Sequence, residues 1–420
     1  MSIVAGGTVV SQLVAVACSP IITRLYGPEP FGVLGVFVAI AGFLVPGVTL
    51  AYHIAVVLPA SDGSARSLVR LASVVALVAS LCLLWVVLIL RNDIAGVFGF
   101  TSASSYLVLL PAVVFFSGLE QTYRQWLVRK LQFRSISGIA VAQAVASNSA
   151  MVACGLVTAS GPMLLVVNTA GHALHAALLW LSARASLIRV KYQLGSATDR
   201  PGMSDLRKVA YTYRDFPMYR APQVLINAGS QSLVPLLLAG FFGPVPAGLY
   251  ALSRRVLGLP SGLVSQSVGT VLFPKLAAAA QRGESLRPLI VNSTAGLAVV
   301  GLFPFGAVAL FGPMLFGLAF GSAWVAAGEY SRWLAFWLYF NFVSAPCIQA
   351  LPILGLQRQF LVYEVFAVCI RGAAVVIGAV VFDSAGTAVA LFSISGTALY
   401  VVLITWVLKR SGDATRVGLQ

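Results

Sequence analysis

The chain is a succession of apolar runs separated by polar segments. Most runs are close to 20 residues or longer, the length that an α-helix needs to cross the hydrocarbon core of a bilayer. The pattern predicts twelve membrane spans, at about 1–25, 30–59, 67–90, 104–127, 137–158 and 163–186, then 221–241, 246–273, 287–312, 324–353, 358–381 and 385–408.

A turn rich in proline and glycine follows the first predicted span and returns in the second half of the chain. The first copy, YGPEPFG, covers 26–32, and the second, FGPVPAG, covers 242–248, an offset of 216 in 420 residues. A repeat of this length indicates two copies of one six-helix unit with the same orientation. The predicted fold is therefore an all-α polytopic membrane protein, with lobes 1–188 and 221–420 joined by a cytoplasmic loop at 189–220.

Lysine and arginine residues alternate from one connection to the next. The odd-numbered connections carry only Arg24 and Arg91, whereas the even-numbered connections and the C-terminal tail carry many more. The positive-inside rule then places both termini in the cytoplasm. Within the long loop, 205–218 mixes basic and aromatic residues, which predicts either a short amphipathic helix on the cytoplasmic face or a solvated loop.

Composition supports the membrane assignment and narrows the function. The chain is 59% hydrophobic and 9% charged, whereas soluble domains carry roughly 25% charged residues. The net charge of +15 is attributed to cytoplasmic loops and an affinity for anionic membrane lipids, not to nucleic acid. The five cysteines form no C-x-x-C pair, so neither a disulfide framework nor a metal site is indicated. No catalytic triad context and no cofactor motif is found, so we do not expect an enzyme.

Charged residues within the spans are the main candidates for function, because a charge that faces lipid at mid-depth costs at least about 2.5–3.5 kcal/mol. The spacings Glu120–Arg124 and Glu329–Arg332 allow salt bridges on one helix face. Structural pairing is one interpretation of these acids. The other is ion coupling, for which the candidates are Glu120, Glu329, Glu364 and the intramembrane histidine His53.

Arginines are the second group of candidates. A planar guanidinium binds phosphate groups through two parallel hydrogen bonds. If the bundle encloses a cavity, these arginines would make it positive and suited to an anionic substrate: Arg24, Arg124, Arg255 and Arg332.

His172 and His175 share the sixth predicted span at a spacing of three residues, so they lie on one helix face. No carboxylate is near them in the sequence, and a two-histidine metal site would need further ligands. We therefore interpret both as packing histidines that form hydrogen bonds across the bundle.

Several stretches resemble one family. ITRLYGPEPFGVL at 22–34, with a second span that ends in VLPASD, resembles the start of Wzx-type polysaccharide flippases of the multidrug/oligosaccharidyl-lipid/polysaccharide exporter superfamily. WLVRKLQFR at 126–134 and YRDFP at 213–217, the latter followed by FFGPVPAGLYALSRRVLGLP at 241–260, are similar to the same family.

The resemblance implies a V-shaped bundle that moves an undecaprenyl-pyrophosphate-linked oligosaccharide across the bacterial inner membrane. It implies alternating access, driven by an ion gradient or the membrane potential, in O-antigen or exopolysaccharide assembly. A polysaccharide polymerase and a chain-length regulator are the partners expected beside this substrate.

Three alternatives remain open. A drug or cation antiporter of the same superfamily would favour acidic cavity residues, and lipid II flippases usually have two more spans. A membrane-embedded glycan polymerase or ligase would need a large outer loop, and the predicted outer connections are short.

Overall fold

The computed structural model describes residues 2–99, 101–194 and 203–413. Within these ranges the regular structure is helical and no strand occurs, as expected where water cannot pair the backbone. The helices are α1 (Ser2–Tyr26), α2 (Pro28–Leu44), α3 (Tyr52–Ala55), α4 (Asp62–Val97), α5 (Leu109–Arg129), α6 (Phe133–Val157), α7 (Gly161–Leu194), α8 (Met203–Thr212), α9 (Ala221–Phe242), α10 (Pro244–Gln281), α11 (Arg287–Phe320), α12 (Val325–Val343), α13 (Ala345–Ala350), α14 (Gln357–Val380) and α15 (Ala385–Asp413).

Each of the twelve predicted spans coincides with one helix or with two consecutive shorter helices. In the described part of the chain, nine helical segments are long and apolar enough to cross a membrane, and Val10–Tyr26 is a shorter apolar helix. The protein is therefore an all-α, multi-pass membrane protein, as predicted. The V shape and the lobe boundaries at 188 and 221 stay predictions.

The duplicated turn has the same conformation in both copies. Gly27 (φ 67°) and Gly243 (φ 80°) adopt the left-handed backbone that glycine tolerates best. Pro28 and Pro244 follow as the first residues of α2 and α10, where a missing N–H costs nothing because that group has no partner within the helix. The sequence signal for a repeated helix start is thus confirmed.

The two copies of the turn also lie against each other. A Cβ atom on Gly32 would come within 2.1 Å of the Pro244 carbonyl oxygen, and one on Gly248 within 2.6 Å of the Gly32 nitrogen. Real Cβ atoms do not approach so closely, and the neighbouring atoms belong to backbone that cannot rotate away. Glycine at these two positions is therefore required by the approach of the two backbones.

Two of the predicted spans, 30–59 and 324–353, are interrupted in the structure. The span at 30–59 ends as α-helix at Leu44 and passes through a 3₁₀ turn at Val45–Gly47. It then continues to α3 through Leu50 (φ 48°) and Ala51 (φ 60°), both in the left-handed region. The span at 324–353 is likewise divided into α12 and α13. Pro46 lies in the 3₁₀ turn at the first break, and Pro346 lies in the first turn of α13 after the second break.

The chain folds into two compact units, residues 1–248 and 249–420. The core of the first includes Leu68, Trp126, Leu127 and Leu179, and that of the second includes Leu276, Ile290, Leu351 and Val407. α9 packs against α2 within the first unit.

The long loop contains the predicted short helix. α8 covers Met203–Thr212 and buries Val209 in the core of the first unit, while Arg207, Lys208 and Tyr211 are exposed. This confirms an amphipathic helix over the first part of 205–218. The segment 195–202 of the predicted loop lies outside the described residues.

Candidate functional site

An acidic side chain lies between two histidines inside the first unit. Glu120 projects from α5 towards α7, where His172 Nδ1 lies 3.0 Å from Glu120 Oε1 and His175 Nδ1 lies 3.5 Å from Glu120 Oε2. Ser117 Oγ lies 3.3 Å from the same His172 nitrogen. The Glu120 side chain is only 16% exposed, so both carboxylate oxygens take their partners from the protein. We call Glu120, His172 and His175 the acid–histidine cluster.

The cluster corrects one prediction and confirms another. Glu120 was expected to pair with Arg124, but among the described residues its ion pairs are with the two histidines, and Arg124 is exposed. The histidines were expected to bond across the bundle, and they do so. Their shared helix face was visible in the sequence, whereas the acid comes from a helix about 50 residues earlier and carried no local signal.

The break in the second span lies beside this cluster. Gln121 Nε2 donates to the Val45 carbonyl oxygen at 3.3 Å, which also accepts from the Val48 N–H at 3.3 Å. A Cβ atom on Gly118 would come within 2.9 Å of Val48 Cγ1, so α5 packs closely onto the broken segment. His53, a predicted coupling residue, follows the break and its Nδ1 lies 2.6 Å from Thr49 Oγ1.

A second polar cluster lies within the second unit. Arg371 Nη2 on α14 lies 3.2 Å from Glu364 Oε1, and Arg371 is the more buried partner, at 13% exposed against 37%. Arg254 on α10 stands over the Trp337 ring at 6.0 Å. Asn341 on α12 donates to the Tyr400 hydroxyl on α15. Both Arg254 and Arg371 are close enough to act electrostatically on Tyr400. We call this set the arginine cluster.

Two buried polar atoms in the same region have no hydrogen-bond partner among the described residues. They are the Trp337 indole nitrogen and the Thr397 hydroxyl. Trp337 and Tyr250 both pack against Phe392, with ring centroids 4.8 Å and 6.3 Å away. An unpaired buried donor costs about 1–3 kcal/mol, so the arginine cluster is less completely bonded than the acid–histidine cluster.

The four arginines predicted to line a cavity are all exposed: Arg24, Arg124, Arg255 and Arg332. Arg24 and Arg124 belong to the first compact unit, and Arg255 and Arg332 to the second. Arg332 Nη1 lies 3.8 Å from Glu329 Oε2, so the predicted pair is formed, at a surface where both side chains are about half exposed.

Metal binding has little support in the described residues. No group of three or more histidine, cysteine or acidic side chains there is arranged to hold a metal ion. In the acid–histidine cluster both Nδ1 atoms point at the carboxylate, so Glu120 serves as their acceptor instead of sharing an ion with them.

Comparison with known proteins identifies the family. Residues 21–329 match the sequence model of the polysaccharide biosynthesis protein family. The chain belongs to the polysaccharide biosynthesis protein family. No curated protein matches the chain.

Solved structures show what fold this polysaccharide biosynthesis protein shares. An inward-facing multidrug resistance MATE family transporter of the MOP superfamily is 12% identical, with 97% of this chain and 96% of that chain covered and a TM-score of 0.72. The lipid II flippase MurJ in an inward closed conformation is 13% identical, with 99% and 90% covered and a TM-score of 0.68. The Vibrio cholerae MATE transporter VcmN in the bent form is 12% identical, with 99% and 97% covered and a TM-score of 0.54. The polysaccharide biosynthesis protein thus has the fold of these transporters.

Proposed function

We propose that this protein is a flippase that carries an undecaprenyl-pyrophosphate-linked oligosaccharide from the cytoplasmic to the periplasmic leaflet of the bacterial inner membrane. The observation that carries the proposal is the combination of polysaccharide biosynthesis membership with a transporter fold. A glycan attached to a pyrophosphate cannot cross about 30 Å of hydrocarbon unaided. The proposed product supplies O-antigen or exopolysaccharide assembly, with a polymerase and a chain-length regulator as partners.

Alternating access is the proposed mechanism, with both termini in the cytoplasm. A protein path that shields the glycan and pyrophosphate lowers the barrier, while the lipid tail stays in the bilayer. We assign the pyrophosphate to the exposed arginines Arg24, Arg124, Arg255 and Arg332, because guanidinium groups pair with phosphate oxygens. Glu120, Glu329, Glu364 and His53 are the candidates for ion coupling. Transport alone requires no catalytic group.

A drug or cation antiporter is the second candidate function. It is favoured by the similarity of the fold to the multidrug transporter with a TM-score of 0.72. The arginine content of the predicted cavity argues against a cationic substrate, and family membership favours a glycan.

Deletion of the gene in its host tests the proposal. We expect lipid-linked oligosaccharide to accumulate in the cytoplasmic leaflet and surface glycan to disappear. Re-expression of the wild type should restore the glycan, whereas a variant with all four arginines changed to glutamine should not, at equal abundance in the membrane. Normal surface glycan with increased drug sensitivity would support the antiporter instead. Unpolymerised single repeat units at the cell surface would indicate a polymerase.

A further inference from the structure

We propose that the acid–histidine cluster is a proton-binding site, and that its protonation couples substrate movement to the proton gradient. The inference rests on the proposed transport function. It adds the identity of the coupling ion and a specific site, which includes two histidines that sequence analysis assigned to packing.

The first argument is the convergence of three titratable groups from two helices. Both Glu120 oxygens lie within 3.5 Å of a histidine nitrogen. Histidine is the side chain whose ordinary pKa lies nearest to neutral pH. Groups in contact bind protons as one coupled unit. With Nδ1 of each imidazole protonated and donating, the carboxylate remains ionised, and the cluster carries a charge of −1. One further proton, held on a second histidine nitrogen or on the carboxylate, neutralises it without requiring any helix to separate.

The second argument is the surroundings of the carboxylate. Across α5, Gly118 faces Val48 of the broken segment and Ala76 of α4, and both are fully or nearly fully buried. The histidine that follows the break, His53, is already bonded to Thr49. Within the described residues, His172 and His175 are the only charged or titratable partners of Glu120. The carboxylate is therefore paired with neither a lysine nor an arginine in this part of the chain.

The energetic cost of a charge inside the membrane explains how a proton could influence conformation. A charged side chain at mid-depth in a membrane costs at least about 2.5–3.5 kcal/mol. Taking up one proton removes that charge, so the neutral cluster tolerates surroundings that the anionic cluster does not. A bound proton can therefore shift the balance between two conformations by the difference in its affinity for them.

The third argument is the connection to the break in the second span. Gln121, the residue after Glu120, donates to the Val45 carbonyl at the end of α2. Leu50 and Ala51 lie just beyond, in a backbone conformation that non-glycine residues adopt at a cost of about 1–3 kcal/mol each. Discontinuous helices commonly line the paths of transporters. A movement of α5 in response to protonation would reach this strained segment directly.

The experiment uses the full-length protein in proteoliposomes with a pH-sensitive dye inside and a fluorescent undecaprenyl-pyrophosphate-linked oligosaccharide in the bilayer. For the wild type we expect an imposed pH gradient to accelerate flipping about tenfold, and flipping to dissipate the gradient. Glu120→Gln should flip at one rate with and without the gradient, and the double variant His172→Gln/His175→Gln should behave alike. The matched control is Glu284→Gln, which neutralises an exposed carboxylate paired with Arg282 outside the spans and should keep the full acceleration.

Potentiometric titration of the purified proteins provides a readout that needs no substrate. Between about pH 4 and 8, where carboxyl and imidazole groups change charge, we expect the triple variant Glu120→Gln/His172→Gln/His175→Gln to take up at least one proton fewer per molecule than the wild type. Variants enter the comparison once gel filtration shows them folded, and each single histidine variant substitutes for the triple variant if that one aggregates.

The outcomes separate the two proposals. If Glu120→Gln keeps the gradient-driven acceleration, or the gradient does not accelerate the wild type, proton coupling through this cluster is wrong. If the titration curves coincide, the proton site is wrong while the flippase stands. If the wild type flips no oligosaccharide under any gradient but the titration difference appears, the proposed substrate is wrong and the proton site stands.

Discussion

Each compact unit places one acid among buried polar side chains, but the two acids have different partners. Glu120 lies between two histidines, whereas Glu364 is paired with Arg371. Histidine is the residue type whose ordinary pKa lies nearest to neutral pH, and arginine is the type that is always charged in proteins. The first arrangement can gain or lose charge, and the second holds an ion pair in place. The partner of an intramembrane acid thus decides whether the pair can change its charge or is a permanent ion pair that stabilises the fold.

The two clusters also differ in how well their polar atoms are bonded. In the acid–histidine cluster both carboxylate oxygens have partners. Around the arginine cluster, the Trp337 and Thr397 side chains each bury a polar atom that has no hydrogen-bond partner among the described residues. We therefore expect substitutions in the second unit to affect stability more strongly. Substitutions in the first unit should instead affect proton-linked function.

The largest loss of stability should come from removing Arg371, the arginine that pairs with Glu364. Arg371→Met leaves Glu364, whose side chain is 37% exposed, without its partner. We expect a loss of about 2–3 kcal/mol of stability, less than for a fully buried pair. Thermal unfolding of the purified protein in detergent measures it. Arg332→Met is the matched control, because its guanidinium is 47% exposed and 3.8 Å from Glu329, so its loss should cost under about 1 kcal/mol. Equal unfolding temperatures for the two variants would contradict the role of Arg371 in stabilising the fold.

A smaller difference in stability should separate alanine substitutions at two glycines, one beside each cluster. A Cβ atom at Gly396 would lie 2.5 Å from Trp337 Cδ1, and one at Gly171 would lie 2.5 Å from Ser147 Oγ. The indole is large and buried, whereas the serine hydroxyl can rotate away. Gly396→Ala should cost about 2 kcal/mol and Gly171→Ala less than about 1 kcal/mol, by the cost of overpacking. The same unfolding assay compares them, and the reverse order would show that the indole is free to move.

The smallest effect on stability should come from Glu120→Gln. The amide oxygen still accepts from one imidazole, and the charge inside the membrane disappears, so the two changes offset to within about 1 kcal/mol. We expect unfolding temperatures close to wild type while proton coupling is lost. A loss as large as that of Arg371→Met would mean that Glu120 itself stabilises the fold.

Local patterns account for the parts of the fold and site that were predicted correctly. The Glu329–Arg332 pair formed because its three-residue spacing brings both side chains to one helix face whatever surrounds them. The repeated turn could be predicted because glycine and proline restrict or permit particular conformations of their own backbone, whatever packs around them. For 205–218 the mixture of basic and aromatic residues left a short amphipathic helix and a solvated loop as alternatives, and the structure shows the helix, with Val209 buried.

Proline shows where local patterns stop being informative. Pro20 and Pro235 lie inside continuous helices, α1 and α9, whereas Pro46 and Pro346 lie where spans are interrupted. All four remove the same donor, so residue type alone did not predict the breaks. At the first break, a side chain from another helix, Gln121, donates to the Val45 carbonyl, which also accepts from the Val48 N–H.

The sequence by itself determined the all-α, multi-pass membrane class, the duplicated turn and the set of intramembrane charges, because these depend on composition and on spacings within one helix. The tertiary structure alone decided which charges meet. Glu120 pairs with His172 and His175 and not with Arg124, because the packing of α5 on α7 brings both histidines within 3.5 Å of its carboxylate. A helix pattern states which face a side chain occupies, and only the neighbouring helix determines what lies opposite.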